Sequence, residues 1–127
     1  MKNFLIIFLF VLIGGNLQGQ DYKFGGKVVK INFEMNSDSL NTKAINALNK
    51  LGKNIQKKPG QVACFVGFAA SNESNPDDLR ARRAIVVRKY LKENYGIKVA
   101  DQFSGKRPEP TNPKKMRVVY VYLLSTN

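Results

Sequence analysis

Few of the 127 side chains lend themselves to covalent or redox chemistry. Histidine and tryptophan are absent and Cys64 is the single thiol. A transition-metal site, or Ser-His or Cys-His nucleophilic catalysis, therefore has almost nothing to be built from. One cysteine makes no internal disulfide framework. Cys64 lies in the apolar run 61–67 (QVACFVG), where a small buried side chain is expected. Asp77-Asp78 is an apparent carboxylate pair, but adjacent positions on a helix face different ways, and two acids just after Asn75-Pro76 suit the positive end of a helix dipole. What is left is recognition chemistry. Lys106, Arg107, Lys114 and Lys115 lie in or beside the proline-rich loop 104–115 (SGKRPEPTNPKK), either to grip a polyanion or simply to be solvated. Phe68 opens the polar loop 68–76 (FAASNESNP), either to stack on a sugar or partner or to tuck under the loop and close the core. Tyr120 and Tyr122 alternate along an apolar segment and share one face, an interaction patch if no helix covers it. The inventory points to a binding protein and not an enzyme, with no metal and no cofactor.

These side chains need elements to hold them. Residues 27–33 (KVVKINF) carry Val29, Ile31 and Phe33 at alternate positions, the period of a strand with one buried face, after a short linker over 20–26. A polar stretch, 34–41, ends in a helix cap. Leu40, Ala44, Ala47, Leu48, Leu51 and Ile55 then recur at helical spacing, opposite a solvated face of Lys43, Asn46, Lys50, Lys53 and Lys57, until Pro59-Gly60. Residues 61–67 predict a strand buried on both faces. Asn75 as cap, Pro76 at the first helical position and Asp77-Asp78 open a second helix. Its stripe is Leu79, Ala84, Val87 and Leu91, widened by Ile85, Val86 and Tyr90, and Gly96 is placed to end it in a left-handed turn. Residues 97–103 predict a short edge strand, and 116–124 (MRVVYVYLL) a final strand followed by a tail, 125–127. The fold class is α+β, a β-α-β-α-β-β two-layer sandwich with the helices packed on one face of a mixed sheet. Alternating strands and helices argue for parallel pairing through right-handed crossovers.

The chain begins as an exported protein does. Lys2 gives a positive start, 4–13 (FLIIFLFVLI) is an unbroken apolar run, and Gly14-Gly15 and a polar stretch to Gly19 follow. That is the order of a secretory signal peptide over 1–19, and the run is about half the roughly 20 residues a spanning helix needs. Cleavage after Gly19 leaves 108 of the 127 residues, one domain with one modest core. Lys2 is the only charge lost, so the net charge falls from +12 to +11. So basic a chain is drawn to polyanions. Outside the cytoplasm these are wall polymer, lipopolysaccharide or acidic proteins, not nucleic acid.

Taken together, residues 27–124 resemble the OmpA-like domain, the peptidoglycan-binding module of outer-membrane proteins, envelope lipoproteins and flagellar stators. Phe33 followed by Ser37, Ser39 and Leu40 is similar to the family's first block, and Val62 to Gly67 to its central strand, which usually leads into Gly-His-Thr-Asp. Leu79-Arg80-Ala81-Arg82-Arg83-Ala84 is similar to Leu-Ser-x-x-Arg-Ala, Gly105 to Pro110 to the Gly-x-Gly-x-x-x-Pro loop, and Arg117-Val118 to the Arg-Arg-Val that opens the last strand. The resemblance implies a periplasmic module, associated with cell wall or outer membrane, that binds the diaminopimelate of the peptidoglycan stem peptide. An aspartate meets its ammonium and the arginine of Arg-Ala its carboxylate. Arg83 matches that arginine, while the aspartate position falls on Ala70 and two residues are missing from the loop that follows. Asn75 and Phe68 are further candidates for ligand contact, and Asn75 is equally a cap. Arg83 either receives a ligand carboxylate or pairs with Asp77, Asp78 or Glu73. The leading expectation is non-covalent peptidoglycan binding. The alternative is a degenerate OmpA-like domain acting as a protein-protein adaptor in an outer-membrane or periplasmic assembly, with electrostatic docking on lipopolysaccharide or acidic lipid as a third reading. No transmembrane span is expected in the mature chain.

Overall fold

The computed structural model describes residues 22–126. The signal peptide expected over 1–19 lies outside the described residues. The elements are strand β1 (Tyr22–Asn32), helix α1 (Thr42–Gln56), strand β2 (Val62–Gly67), helix α2 (Pro76–Tyr95), a 3-10 turn (Pro113–Lys115) and strand β3 (Val118–Thr126). β3 is the middle strand and pairs antiparallel with β1 on one side and β2 on the other. β1 and β2 are therefore parallel to each other but not adjacent, and the crossover through α1 leaves a gap that β3 fills.

Period-two alternation sorts the sheet into two faces. Ile31, Ala63, Val119, Val121 and Leu123 meet Ala44, Leu48, Leu51 and Ile55 of α1 and Val87 and Leu91 of α2 in one core. Val62, Cys64, Val118, Tyr120, Tyr122 and Leu124 form a second core on the other face, with Phe24, Phe68, Ala100 and Phe103 packed among them. Among the described residues no helix covers that second face. The segment beyond residue 100 closes it instead: Phe103 packs on Phe24 and Tyr122, with ring centroids 5.7 and 5.2 Å apart, and the Tyr122 hydroxyl donates to the Pro108 carbonyl. Tyr120 and Tyr122, 6% and 0% exposed, are thus core residues and not the interaction patch expected of an uncovered face.

Three further expectations change. β1 starts at Tyr22, so most of the stretch assigned to a linker (20–26) is strand, and a register shift between Phe24 and Val28 absorbs Gly25-Gly26. β3 runs to Thr126, through the expected tail. The edge strand of 97–103 contracts to a single parallel bridge, Ala63 with Val99, held by Ala63 N–H to Lys98 O (3.0 Å) and Ala100 N–H to Ala63 O (2.9 Å). The α+β two-layer sandwich with both helices on one face stands. The helices begin and end as their sequences dictate: Asn41 Oδ1 caps α1 on Ala44 N–H (2.8 Å), and Gly96 ends α2 at φ 63°. α2 lies so close to β2 that a β-carbon on Gly67 would overlap the Arg80 carbonyl.

Candidate functional site

The loop from β1 to α1, the loop from β2 to α2 and the first turns of α2 come together at one end of the sheet, and Arg83 is the side chain they enclose. Its position follows from spacing. Leu79, Arg83, Val87 and Leu91 recur every four residues and are the buried face of α2. The expected stripe put Ala84 where the structure puts Arg83, and it counted Ile85, which is 50% exposed. An arginine in a core stripe needs partners for five N–H donors, and all five are provided within the chain. Nε donates to Ser37 O (2.8 Å), and Nη1 to Phe68 O (3.1 Å) and Glu73 Oε1 (2.9 Å). Nη2 donates to Glu34 O (3.1 Å) and Glu73 Oε2 (2.5 Å). The guanidinium also lies 5.3 Å from the Phe33 ring centroid.

Glu73 is equally well held. Besides the bidentate Arg83 contact it accepts from Ala70 N–H and Asn36 N–H, both at 2.8 Å, and both side chains of the pair are fully buried. Burial alone would raise its carboxyl, but the hydrogen bonds from Arg83, Ala70 and Asn36 and the guanidinium charge outweigh that and hold it at about 2. Asn36, at φ 60°, returns the clasp by accepting from Ser74 N–H (2.8 Å). One ion pair thereby ties both loops to α2.

This arrangement corrects several expectations. Arg83 does not present its fork to an incoming carboxylate, because Glu73 already fills it. Of the three partners open to it, Asp77, Asp78 and Glu73, the structure selects Glu73. Asp77 pairs with Arg80 (3.0 Å), and Asp78 with Arg82, which also reaches Asp38 (3.1 Å). Ala70 is buried and has only backbone groups to offer, its N–H donating to the Glu73 carboxylate and its carbonyl accepting from Glu73 N–H (3.0 Å). Asn75 makes no side-chain cap: its backbone is left-handed (φ 45°, ψ 61°) instead of extended, and only its carbonyl engages the helix, through Leu79 N–H. Phe68 is half-buried and packs edge-to-face on Tyr120 at 5.4 Å, closing the second core instead of standing free to stack on a sugar.

The loop cations are not gathered into one patch. Arg107 pairs with Glu109 (2.8 Å) in a hollow with Gln102, Phe103 and Gly105. Lys106 and Lys115 are exposed. Lys114 lines a separate groove of about 510 Å³ with Ser71, Asn72, Pro113 and Arg117. Nothing in the sequence places Glu73 or marks this groove. The four-residue period through Arg83 was a legible sign that a buried acid must exist. No sequence signal joins Ser71 and Asn72 to Arg117, since β-strand order makes them neighbours. Among the described residues no cluster of three His, Cys, Asp or Glu side chains suits a metal, and no helix is long and apolar enough to cross a membrane.

Three antiparallel strands in the order β1-β3-β2, backed on one face by two helices, make this the fold of OmpA-like domains. No family model matches the sequence, and no curated protein matches it. The likeness is to solved structures. The chain superposes on the periplasmic domain of MotB with a TM-score of 0.56 at 23% identity, covering 79% of this chain and 63% of that one, so it spans less than two thirds of that domain. The peptidoglycan-associated lipoprotein from Burkholderia pseudomallei gives 0.56 at 16% identity, over 74% of this chain and 88% of that one. The cell wall anchor of the T6SS from Pseudomonas aeruginosa gives 0.56 at 14%, over 92% and 95%. At these identities what is shared is the fold.

Proposed function

We propose that this chain is a non-catalytic binding module of the cell envelope, exported by its first 19 residues, that associates non-covalently with peptidoglycan in the periplasm. The observation that carries this reading is the fold itself, with two loops and the start of α2 gathered at one end of the sheet beside unpaired basic residues. Structurally similar proteins named as a peptidoglycan-associated lipoprotein and a cell wall anchor add support. The net positive charge suits an anionic glycan-peptide mesh. In this reading contact with the wall does not run through Arg83, whose donors are occupied while Glu73 is in place.

The test is co-sedimentation of the chain with purified sacculi at moderate salt, before and after the sacculi are digested with muramidase. Retention that survives moderate salt and disappears on digestion is expected. Failure to sediment, or release by a small rise in salt in step with release from an unrelated anionic polymer, overturns the wall reading. The filled Arg83 fork and the missing acid at Ala70 favour one second reading, a domain of this fold kept as a protein-protein adaptor. Under it the chain ignores sacculi and co-purifies with a defined envelope protein after crosslinking in intact cells.

A further inference from the structure

Arg117 is one of two arginines among the described residues that are half-buried and make no ion pair. Arg80, Arg82, Arg83 and Arg107 all have acidic partners. Arg88, the other half-buried arginine without an ion pair, faces a hollow that also contains Asp101. Arg117 is fixed at the start of β3: its carbonyl accepts from Phe33 N–H (2.9 Å), and the next residue, Val118, accepts from Phe68 N–H (2.9 Å). Its groove is completed by Lys114, by Ser71 and Asn72 of the loop that carries Glu73, and by the Pro113 ring. Lys114 sits on a 3-10 turn whose own N–H is held by Asn112 Oδ1 (2.9 Å), which sets the direction of the turn.

We infer that this groove is a carboxylate-binding site for a short peptide, with Arg117 as the bidentate receptor and Lys114 as a second cation. A planar fork matches a carboxylate, and the half-buried setting of Arg117 strengthens the charge-assisted bonds it makes. Two cations beside a hydroxyl, a carboxamide and a proline ring fit a peptide end better than a polyphosphate. The carboxylate takes the arginine, the Asn72 carboxamide pairs with a peptide amide, and Pro113 covers a small apolar side chain. A phosphate polymer would call for a longer run of cations. The groove shares Ser71 and Asn72 with the loop closed by the Glu73–Arg83 pair. The identity of the peptide as a wall stem peptide rests on the proposed function; the carboxylate chemistry does not.

The test is a titration of the chain, followed by amide and side-chain chemical shifts, with a soluble muropeptide bearing free stem carboxylates and with the same muropeptide amidated. Shifts centred on Ser71, Asn72, Lys114 and Arg117 that vanish on amidation are expected. Arg117→Ala should weaken the interaction about ten-fold or more and Lys114→Ala less, while Arg117→Lys, which keeps the charge and loses the fork, falls between. Unreactive Cys64 in each variant certifies the fold. Shifts that miss the groove, or an affinity indifferent to amidation or to Arg117→Ala, overturn the site. Sacculus retention separates the two ideas. Retention with shifts elsewhere leaves wall binding standing without this groove. Groove shifts with no retention leave a carboxylate site in a protein that does not hold the wall.

Discussion

At Glu73 a buried acid meets a buried guanidinium, and each would be costly alone. Removing one member of such a pair leaves an uncompensated charge in the interior, so Arg83→Ala should destabilise the chain by about 3–5 kcal/mol. Glu73→Ala should do likewise, and the double variant should lose less than the sum of the two, as urea unfolding midpoints will show. The pair also sets an acid limit. The folded-state carboxyl titrates at about 2, below its ordinary 4.5. Its stabilisation is therefore complete above the ordinary value and is lost as pH falls from there through about 2. A shift of that size corresponds to roughly 3 kcal/mol. Glu73→Gln should flatten this part of the stability-against-pH curve, measured by urea midpoints over that range. Arg83 was legible as a position and not as a role. Its four-residue register with Leu79, Val87 and Leu91 is plain in the sequence, but the resemblance to a ligand-binding arginine drew it outward, and only the folded loop shows Glu73 occupying its fork.

Among the elements, the contact between β2 and α2 has the least tolerance. A methyl group on Gly67 meets the backbone carbonyl of Arg80, which cannot rotate away as a side chain would. Gly67→Ala should push α2 off the sheet and lower stability by at least the roughly 1–3 kcal/mol of ordinary overpacking, read as a fall in unfolding midpoint. The segment over the second face is tied down differently. Tyr122 is fully buried, burial pushes its hydroxyl up to about 12, and that hydroxyl holds Pro108. Tyr122→Phe should leave the sheet intact and loosen 104–112, so that trypsin cuts after Lys106 several-fold faster under native conditions, the Arg107–Pro108 bond being resistant to it. Both helices and β2 were legible because period and punctuation agreed there. The 97–103 segment was not: its apolar residues suit a strand, but one bridge to Ala63 is all the pairing it makes before Phe103 turns into the second core. Nor was the antiparallel pairing, since alternation of strands and helices says nothing of which strand a later one will enter between.

For the molecule as a whole, two cores on one small sheet bury β3 from Val118 to Leu124 and the first half of β2, Val62 to Cys64. Cys64 lies in the second core, 3% exposed, and burial pushes its thiol above the ordinary range. Alkylation at neutral pH should therefore be negligible in the native chain and should follow the urea transition. Cys64 then serves as a probe of global opening with no introduced label. The composition made the class of protein readable, since the absence of histidine and the excess of lysine and arginine leave recognition as the available chemistry. Where recognition happens was not readable, because the groove of Ser71, Asn72, Lys114 and Arg117 is assembled from segments about 40 residues apart that only the sheet brings together. The same sheet has a consequence in time. Its middle strand, β3, follows both of its neighbours in the chain, so a polypeptide emerging from its N-terminal end has no ladder to close until Val118 onward is available. Until then β1 and β2 are two unpaired ribbons. A molecule threading through a narrow channel in that direction stays pliable for nearly its whole length and sets only once its last strand is through.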